Sequence, residues 1–186
     1  KSETLRKKLN IPLNCKVALV ISDMTEKHEM VHILRAFQRV AVKKPNTKLI
    51  VVGSGPYFKP IEFEMLNLAL SSKVQFVGNI PPYEIPDYID LADVYINLSN
   101  AMGFEENTFE AMAQQKVIIG SEVSALANII ENTKDGFLIR PADSNSLCEL
   151  MIDIFSQDHN YRQIGENARR KVLSLFDLRS EEQSVG

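Results

Sequence analysis

Two cysteines in 186 residues are too few for a disulfide framework or a structural zinc site. Cys15 stands in the approach to an apolar strand and Cys148 on an apolar helical face, so both read as small core filler in a reducing compartment. Charge of one sign is never concentrated: the net charge is −3 and no block of five like charges occurs, so no nucleic-acid surface is advertised. Lys43-Lys44 and Arg169-Arg170-Lys171 read as solvated helix faces. No run of about 18 apolar residues is present to span a membrane. The opening KSETLRKKLNIP has basic residues with no apolar stretch behind them, unlike a secretory leader. The compartment expected from these absences is the cytoplasm, with peripheral association at the inner face of the membrane left open. Internal repeats, low-complexity tracts and Pro/Gly/Ser linkers are also missing. One domain is therefore expected over residues 1–186, with residues 1–16 leading in and residues 177–186 forming a polar, frayed tail.

What is present is regular. A hydrophobic content of 45% and a charged content of 24% are those of an ordinary globular domain. Apolar strands are expected at residues 17–21, 48–52, 74–77, 94–98, 117–119 and 137–139. Helices are expected over residues 29–42, where Val31, Leu34, Phe37 and Ala41 keep helical spacing, over 61–70, and over 84–91 with Pro86 in the first turn. Further helices are expected from about Asn107 and over 125–131, 145–156 and 161–176. Turns fall at Gly53-Ser54-Gly55-Pro56, at residues 78–82 and at Asp135-Gly136. Six apolar strands alternating with helices predict an α/β fold, a Rossmann-like, doubly wound parallel sheet covered on both faces.

Function is most legible in residues 94–121. Polar Ser99 and Asn100 follow the strand, Gly103-Phe104 fall in the loop, and Glu110 lies one turn inside the next helix. In open α/β sheets ligands bind at the carboxyl ends of the strands, and unpaired amides at a helix start favour a phosphate. Glu110 has two readings. It is a carboxylate that accepts hydrogen bonds from sugar hydroxyls, or the acid of an N-x-x-E cap with Asn107 that satisfies the helix's own amides. Glu106, one turn earlier, is either a solvated acid or a second polar group near the same face. Gly53 and Gly55 are followed by Pro56 and lack the third glycine and downstream acid of a dinucleotide fingerprint. This disfavours a dehydrogenase and leaves a turn beside a nucleotide. His28 and His32 share a helical face, with no third ligand spaced to complete a metal site. Met102, Met112 and Met151 read as core or cleft filler.

Several segments then fall into one order. They are Ile33-Leu34-Arg35-Ala36-Phe37, Leu49-Ile50-Val51-Val52-Gly53-Ser54-Gly55-Pro56, Val74-Gln75-Phe76-Val77-Gly78 and Leu91-Ala92-Asp93-Val94. Gly103-Phe104 with Phe109-Glu110-Ala111-Met112-Ala113 follows, then Asp135-Gly136-Phe137-Leu138-Ile139 and Ile164-Gly165-Glu166-Asn167-Ala168-Arg169. In order and spacing, along nearly the whole chain, this resembles the C-terminal domain of the retaining family 4 glycosyltransferases, the glycosyl transferases group 1. The resemblance implies the nucleotide-sugar-binding half of a GT-B enzyme, in which two Rossmann-like domains face a cleft. The N-terminal half, absent from this chain, would bind a glycan or lipid-linked acceptor. The implied activity is hexosyl transfer from a UDP-, GDP- or ADP-sugar with retention at the anomeric carbon, in polysaccharide or glycoconjugate biosynthesis. It needs no metal and no further cofactor, and the isolated domain is expected not to turn over.

By the same resemblance Glu110 holds the donor's ribose hydroxyls, Gly103 and Phe104 shape the phosphate loop, Gly53 lies beside the nucleotide, and Gly78, Asn79 and Ile80 meet the base through their backbone. The family's two cations after the first strand fall on Asp23 and His28, so Lys27, one residue away, is the candidate catalytic cation for the leaving diphosphate. The family's first motif acid falls on Met102, the glycine after Phe104 falls on Glu105, and its Gly-Gly-x-x-Glu falls on residues 124–128. These departures define a second class of function, a partner subunit or scaffold of the same fold without donor turnover.

Overall fold

Strand β1 (Lys16–Ile21) is apolar at every position from Val17 onward and buries side chains on both faces. Val17 and Leu19 join one core, Ala18 and Val20 the other. A strand of that kind is stable only inside a sheet covered twice. The computed structural model describes residues 2–99, 105–156 and 158–185. β1 pairs in parallel with β2 (Thr47–Val52) and β4 (Val94–Asn97); β3 (Val74–Gly78), β5 (Val117–Ser121) and β6 (Phe137–Ile139) extend the sheet in the order β3-β2-β1-β4-β5-β6. The chain winds outward from β1 in one direction and from β4 in the other. The crevice beyond the carboxyl ends of these two strands is therefore the topological switch point.

Helices α2 (His28–Lys43), α3 (Phe58–Asn67) and α6 (Ser144–Ser156) cover one face, burying Phe37, Ile61 and Met151. Helices α1 (Ser2–Lys8), α4 (Ile85–Leu91), α5 (Glu105–Ala113) and α7 (Asp158–Ser184) cover the other, burying Leu5, Ile89, Met112 and Val172. All six strands lie where the apolar runs place them. Both cysteines are buried and free. No helix among the described residues is long and apolar enough to cross a membrane.

Several local expectations change. α3 starts three residues earlier than its apolar spacing suggests, at Phe58. The helix expected over 125–131 is only a 3-10 turn, Ala125–Asn128, because Ser121 and Ser124 engage the local backbone: Ser124 Oγ donates to the Ser121 carbonyl at 2.8 Å and accepts from Leu126 N at 3.3 Å. α7 continues to Ser184, through residues expected as a frayed tail, and the leading segment contains α1, with Leu9 and Ile11 beyond it buried.

The basic run at 169–171 is not simply solvated. Arg169 donates to the carbonyl of Ala113 at the end of α5. Lys171 Nζ lies 2.7 Å from Asp135 Oδ2 and donates to the Ile129 carbonyl at 2.9 Å. Asp135 is 3% exposed, and its Oδ1 accepts from Glu131 N at 2.8 Å. This pair ties the β5–β6 connection to α7. Removing one partner leaves the other charge uncompensated, so Lys171→Met is expected to lower stability by about 2 to 4 kcal/mol in urea unfolding. An unchanged midpoint would show the pair to be dispensable.

Candidate functional site

At the switch point, residues 22–27 lead from β1 into α2 while Leu98 and Ser99 lead away from β4. Between them opens a cleft of about 340 Å³, lined among others by Ser22, Asp23, Glu26, Glu29, Leu98 and Ala142. Its floor is set by short-range polar contacts. Ser22 Oγ accepts from Met24 N at 3.1 Å, and Asp23 Oδ1 accepts from Thr25 N at 3.3 Å and Thr25 Oγ1 at 3.1 Å. Met24 is turned fully into the core with φ 49°.

Glu26 reaches forward to the start of α2. Its Oε2 accepts from His28 N at 2.6 Å and its Oε1 from Glu29 N at 3.1 Å. Free amides at a helix start are the groups that receive an anion. Here two of them hold the chain's own carboxylate. Glu29, one residue into the helix, is half-buried and lines the cleft. Burial, and then the charges of Glu26 and Asp23, push its carboxyl up to about 7, against the stabilising backbone hydrogen bond from Leu98. Lys27 stands exposed at the residue before α2 and is not among the residues that line the cleft.

Two glycines join the neighbouring turns. Gly53 N donates to Gly78 O at 2.8 Å, and their φ values are 114° and 72°. A Cβ on Gly53 would stand 1.8 Å from Ser22 O, and one on Gly55 1.8 Å from Asp23 O. The turn after β2 therefore lies backbone against backbone on the loop that floors the cleft. Gly78 is different, since a Cβ there would meet nothing within 4 Å. Asn79 beyond it is exposed, and Ile80 is half-buried against the α4 side of the core.

Glu110 is half-buried on α5. Its Oε1 accepts from Gln114 Nε2 at 2.9 Å, and the same nitrogen donates to the Pro86 carbonyl at 3.1 Å, so the carboxylate is steadied on the side of α4. α5 is already helical at Glu105, which places Asn107 inside the helix. The N-x-x-E cap is thereby corrected: Asn107 is not at the cap position that motif requires. α5 is instead pinned to the end of β4 by Asn97, whose Nδ2 donates to the buried Thr108 Oγ1 at 3.0 Å while its Oδ1 accepts from Ser99 N at 3.2 Å. Glu106 is exposed. Gly103 and Phe104, with Met102, lie outside the described residues. Among the described residues no group of three or more His, Cys, Asp or Glu side chains is placed to hold a metal.

The profile of the glycosyl transferases group 1 family matches residues 1–171. The chain belongs to that family. It is 27% identical over 172 residues to N-acetyl-alpha-D-glucosaminyl L-malate synthase of Bacillus anthracis, covering 92% of this chain and 44% of that protein. It is 30% identical over 134 residues to alpha-monoglucosyldiacylglycerol synthase of Streptococcus pneumoniae, covering 72% of this chain and 30% of that protein. The chain thus spans less than half the length of these curated relatives. In fold it is similar to Anabaena Alr3699/HepE, solved with UDP and glucose, at TM-score 0.85 and 21% identity over 100% of this chain and 52% of that one. The C-terminal domain of LpcC from Francisella tularensis superposes at TM-score 0.81 and 20% identity, covering 95% and 93%. The sheet is that of a GT-B C-terminal domain.

In this group 1 domain the two positions where the family resemblance implies cations, Asp23 and His28, line a cleft that also holds Glu26 and Glu29. Sequence reasoning did not single out Glu26 or Glu29. An acid in or just before the first helical turn is the ordinary complement of the helix dipole, so nothing in the pattern marked them.

Proposed function

We propose that this chain is the donor-binding half of a retaining glycosyltransferase that moves a sugar from a UDP-, GDP- or ADP-sugar to a glycan or glycoconjugate acceptor. The acceptor is held by a second domain, and the transfer uses no metal. The reading places the enzyme in the cytoplasm, at the inner membrane face where the acceptor is lipid-linked. The observation that carries it is that Glu110 and Ile80 lie on the α4 side of the fold, Glu110 steadied through Gln114 and the Pro86 carbonyl and Ile80 packed against the core that α4 covers. Glu110 offers a steadied carboxylate to ribose hydroxyls, and Gly78 leaves backbone bare where a base can approach. The relative solved with UDP and glucose supports the same ligand class. From there a diphosphate extends toward the switch-point cleft, with Lys27 as the cation beside its entrance in sequence.

Calorimetric titration with UDP- and GDP-sugars tests this reading. Binding at millimolar or tighter affinity is expected, and Glu110→Ala should weaken it about tenfold, the loss of a charge-assisted hydrogen bond. Silence across all nucleotide-sugars would sink it. Lys27→Ala should weaken UDP about fivefold and leave uridine unchanged, the effect of one exposed cation. Equal losses for both ligands would reject the role given to Lys27.

A second reading, a partner subunit that keeps the fold without donor turnover, draws support from the acidic cleft. There Asp23 and Glu29 repel a diphosphate and Glu26 occupies amides that would otherwise bind it. It calls for the full-length protein to show neither sugar transfer nor nucleotide-sugar hydrolysis.

A further inference from the structure

Glu29 is a carboxylate that touches both sides of the switch point. It projects from the first turn of α2 and takes a hydrogen bond from the backbone of Leu98 at the exit of β4. Among the described residues the charges that act on it, those of Glu26 and Asp23, are of its own sign. From the β1–α2 loop come Asp23 and Glu26, the latter held by two α2 amides. α2 itself contributes His28 and His32. From β4 the fully buried phenol of Tyr95 feels the Glu29 charge. From the β6–α6 connection come Pro141 and Ala142, while flanking Arg140 is paired with Glu122 at 3.4 Å and Asp143 accepts from Ser146 Oγ at 2.6 Å. Among the described residues that line the cleft there is no Lys or Arg.

We propose that Glu29 is a specificity-determining residue of this cleft: a donor diphosphate enters only when Glu29 carries a proton, so that donor binding takes up one proton from solvent. The proposal rests on the donor-binding reading above. Its physical basis is that an ionised Glu29 would face a diphosphate at short range in a half-enclosed space, where like charges repel strongly. The protonated carboxyl reverses this, because its O–H becomes a donor to a phosphate oxygen. Its burial among like charges already places it near neutrality. The site is thereby most receptive on the acid side of neutral pH.

Two measurements on the same chain decide the matter. Carbon-13 NMR of the glutamate carboxyls follows Glu29 directly in the ligand-free protein. Calorimetry with UDP-glucose and GDP-mannose, whose diphosphates keep their charge near neutral pH, gives affinity at about pH 6 and about pH 8. The expected results are a Glu29 midpoint near 7 and an affinity about tenfold weaker at about pH 8 than at about pH 6, one proton's linkage across that range. Proton uptake should also appear when buffers of different ionisation enthalpy are compared. Glu29→Gln should bind at about pH 8 as tightly as the parent does at about pH 6. His28 and His32 remain in that variant, so a pH dependence that persists unchanged assigns the effect to another group of the cleft and overturns the proposal. A Glu29 midpoint in the ordinary carboxylate range, or pH-independent binding, overturns it alone and leaves the donor-binding reading intact. Absence of binding to parent and variant at both pH values removes both.

Discussion

Gly53→Ala is expected to lower the stability of the chain by about 3 to 5 kcal/mol, the sum of backbone strain and overpacking that cannot relax. Two effects act at one residue. The backbone sits at φ 114°, outside the regions open to a residue with a Cβ, and the added carbon would lie 1.8 Å from Ser22 O and 2.9 Å from Ser22 C. Neither of those atoms belongs to a side chain that can swing away. Moving them means moving the loop that follows β1, which carries Asp23 and Glu26 into the cleft. Gly55→Ala should be damaging through contact alone, since its Cβ would meet Asp23 O at 1.8 Å. Gly78→Ala is the control: φ 72° strains the backbone, but the space is open, and a loss of only about 1 to 2 kcal/mol is expected. Urea unfolding of the three variants should rank them in that order. Equal, small losses at Gly53 and Gly78 would mean that the turn after β2 does not rest on the loop after β1.

Glu29→Gln is expected to be about 3 kcal/mol more stable than the parent at about pH 8, and equal to it at about pH 4. The sign follows from proton counts. In the folded chain Glu29 is raised from 4.5 to about 7. Between those values the native state keeps a proton that the unfolded state has released, so stability declines as pH rises. The contribution is complete below the unfolded value and lost on passing through the folded one. Glutamine carries no charge at any pH, and its amide oxygen can still accept from the backbone of Leu98. The difference between variant and parent cancels the other titrating groups. Thermal unfolding of both proteins across this range reads it directly. Equal stability at about pH 8 would show that holding an ionised Glu29 beside Asp23 and Glu26 costs nothing.

The sheet was legible because its strands are buried on both faces. Val17, Ala18, Leu19 and Val20 are all fully buried, and an unbroken apolar run of that length suits a central parallel strand far better than a surface one. Helix extents were less legible where no apolar stripe guides them. The far end of α7 is exposed, with Leu178 at 58%, so its last turns rest on local propensity and not on packing. The helix near Ala125 shortened because Ser121 and Ser124 offer the backbone local hydrogen bonds, a competition that apolar periodicity does not register. Lys171 looked solvated for a different reason: its partner Asp135 is distant in sequence, and only the fold brings them within 2.7 Å.

At the site, the positions marked by glycine were informative about geometry. Gly53 and Gly78 do join two strand ends, and their hydrogen bond of 2.8 Å sets the edge on which a nucleotide is proposed to lie. Charge was harder to read. A Glu before a helix and another within its first turn are ordinary capping choices, yet here they converge with Asp23 on one cleft. Their effect depends on enclosure, which a sequence does not display.

The most direct test of the proposed donor site is a map of backbone amide shifts in the labelled chain as UDP-glucose or GDP-mannose is added. A nucleotide bound as proposed should perturb Gly78, Asn79 and Ile80 together with Gly53 and Glu110, and those shifts should fade in Glu110→Ala. Saturable shifts confined to another surface, such as the amino edge of the sheet around Lys16 and Lys116, or no shifts with any nucleotide-sugar, would contradict it.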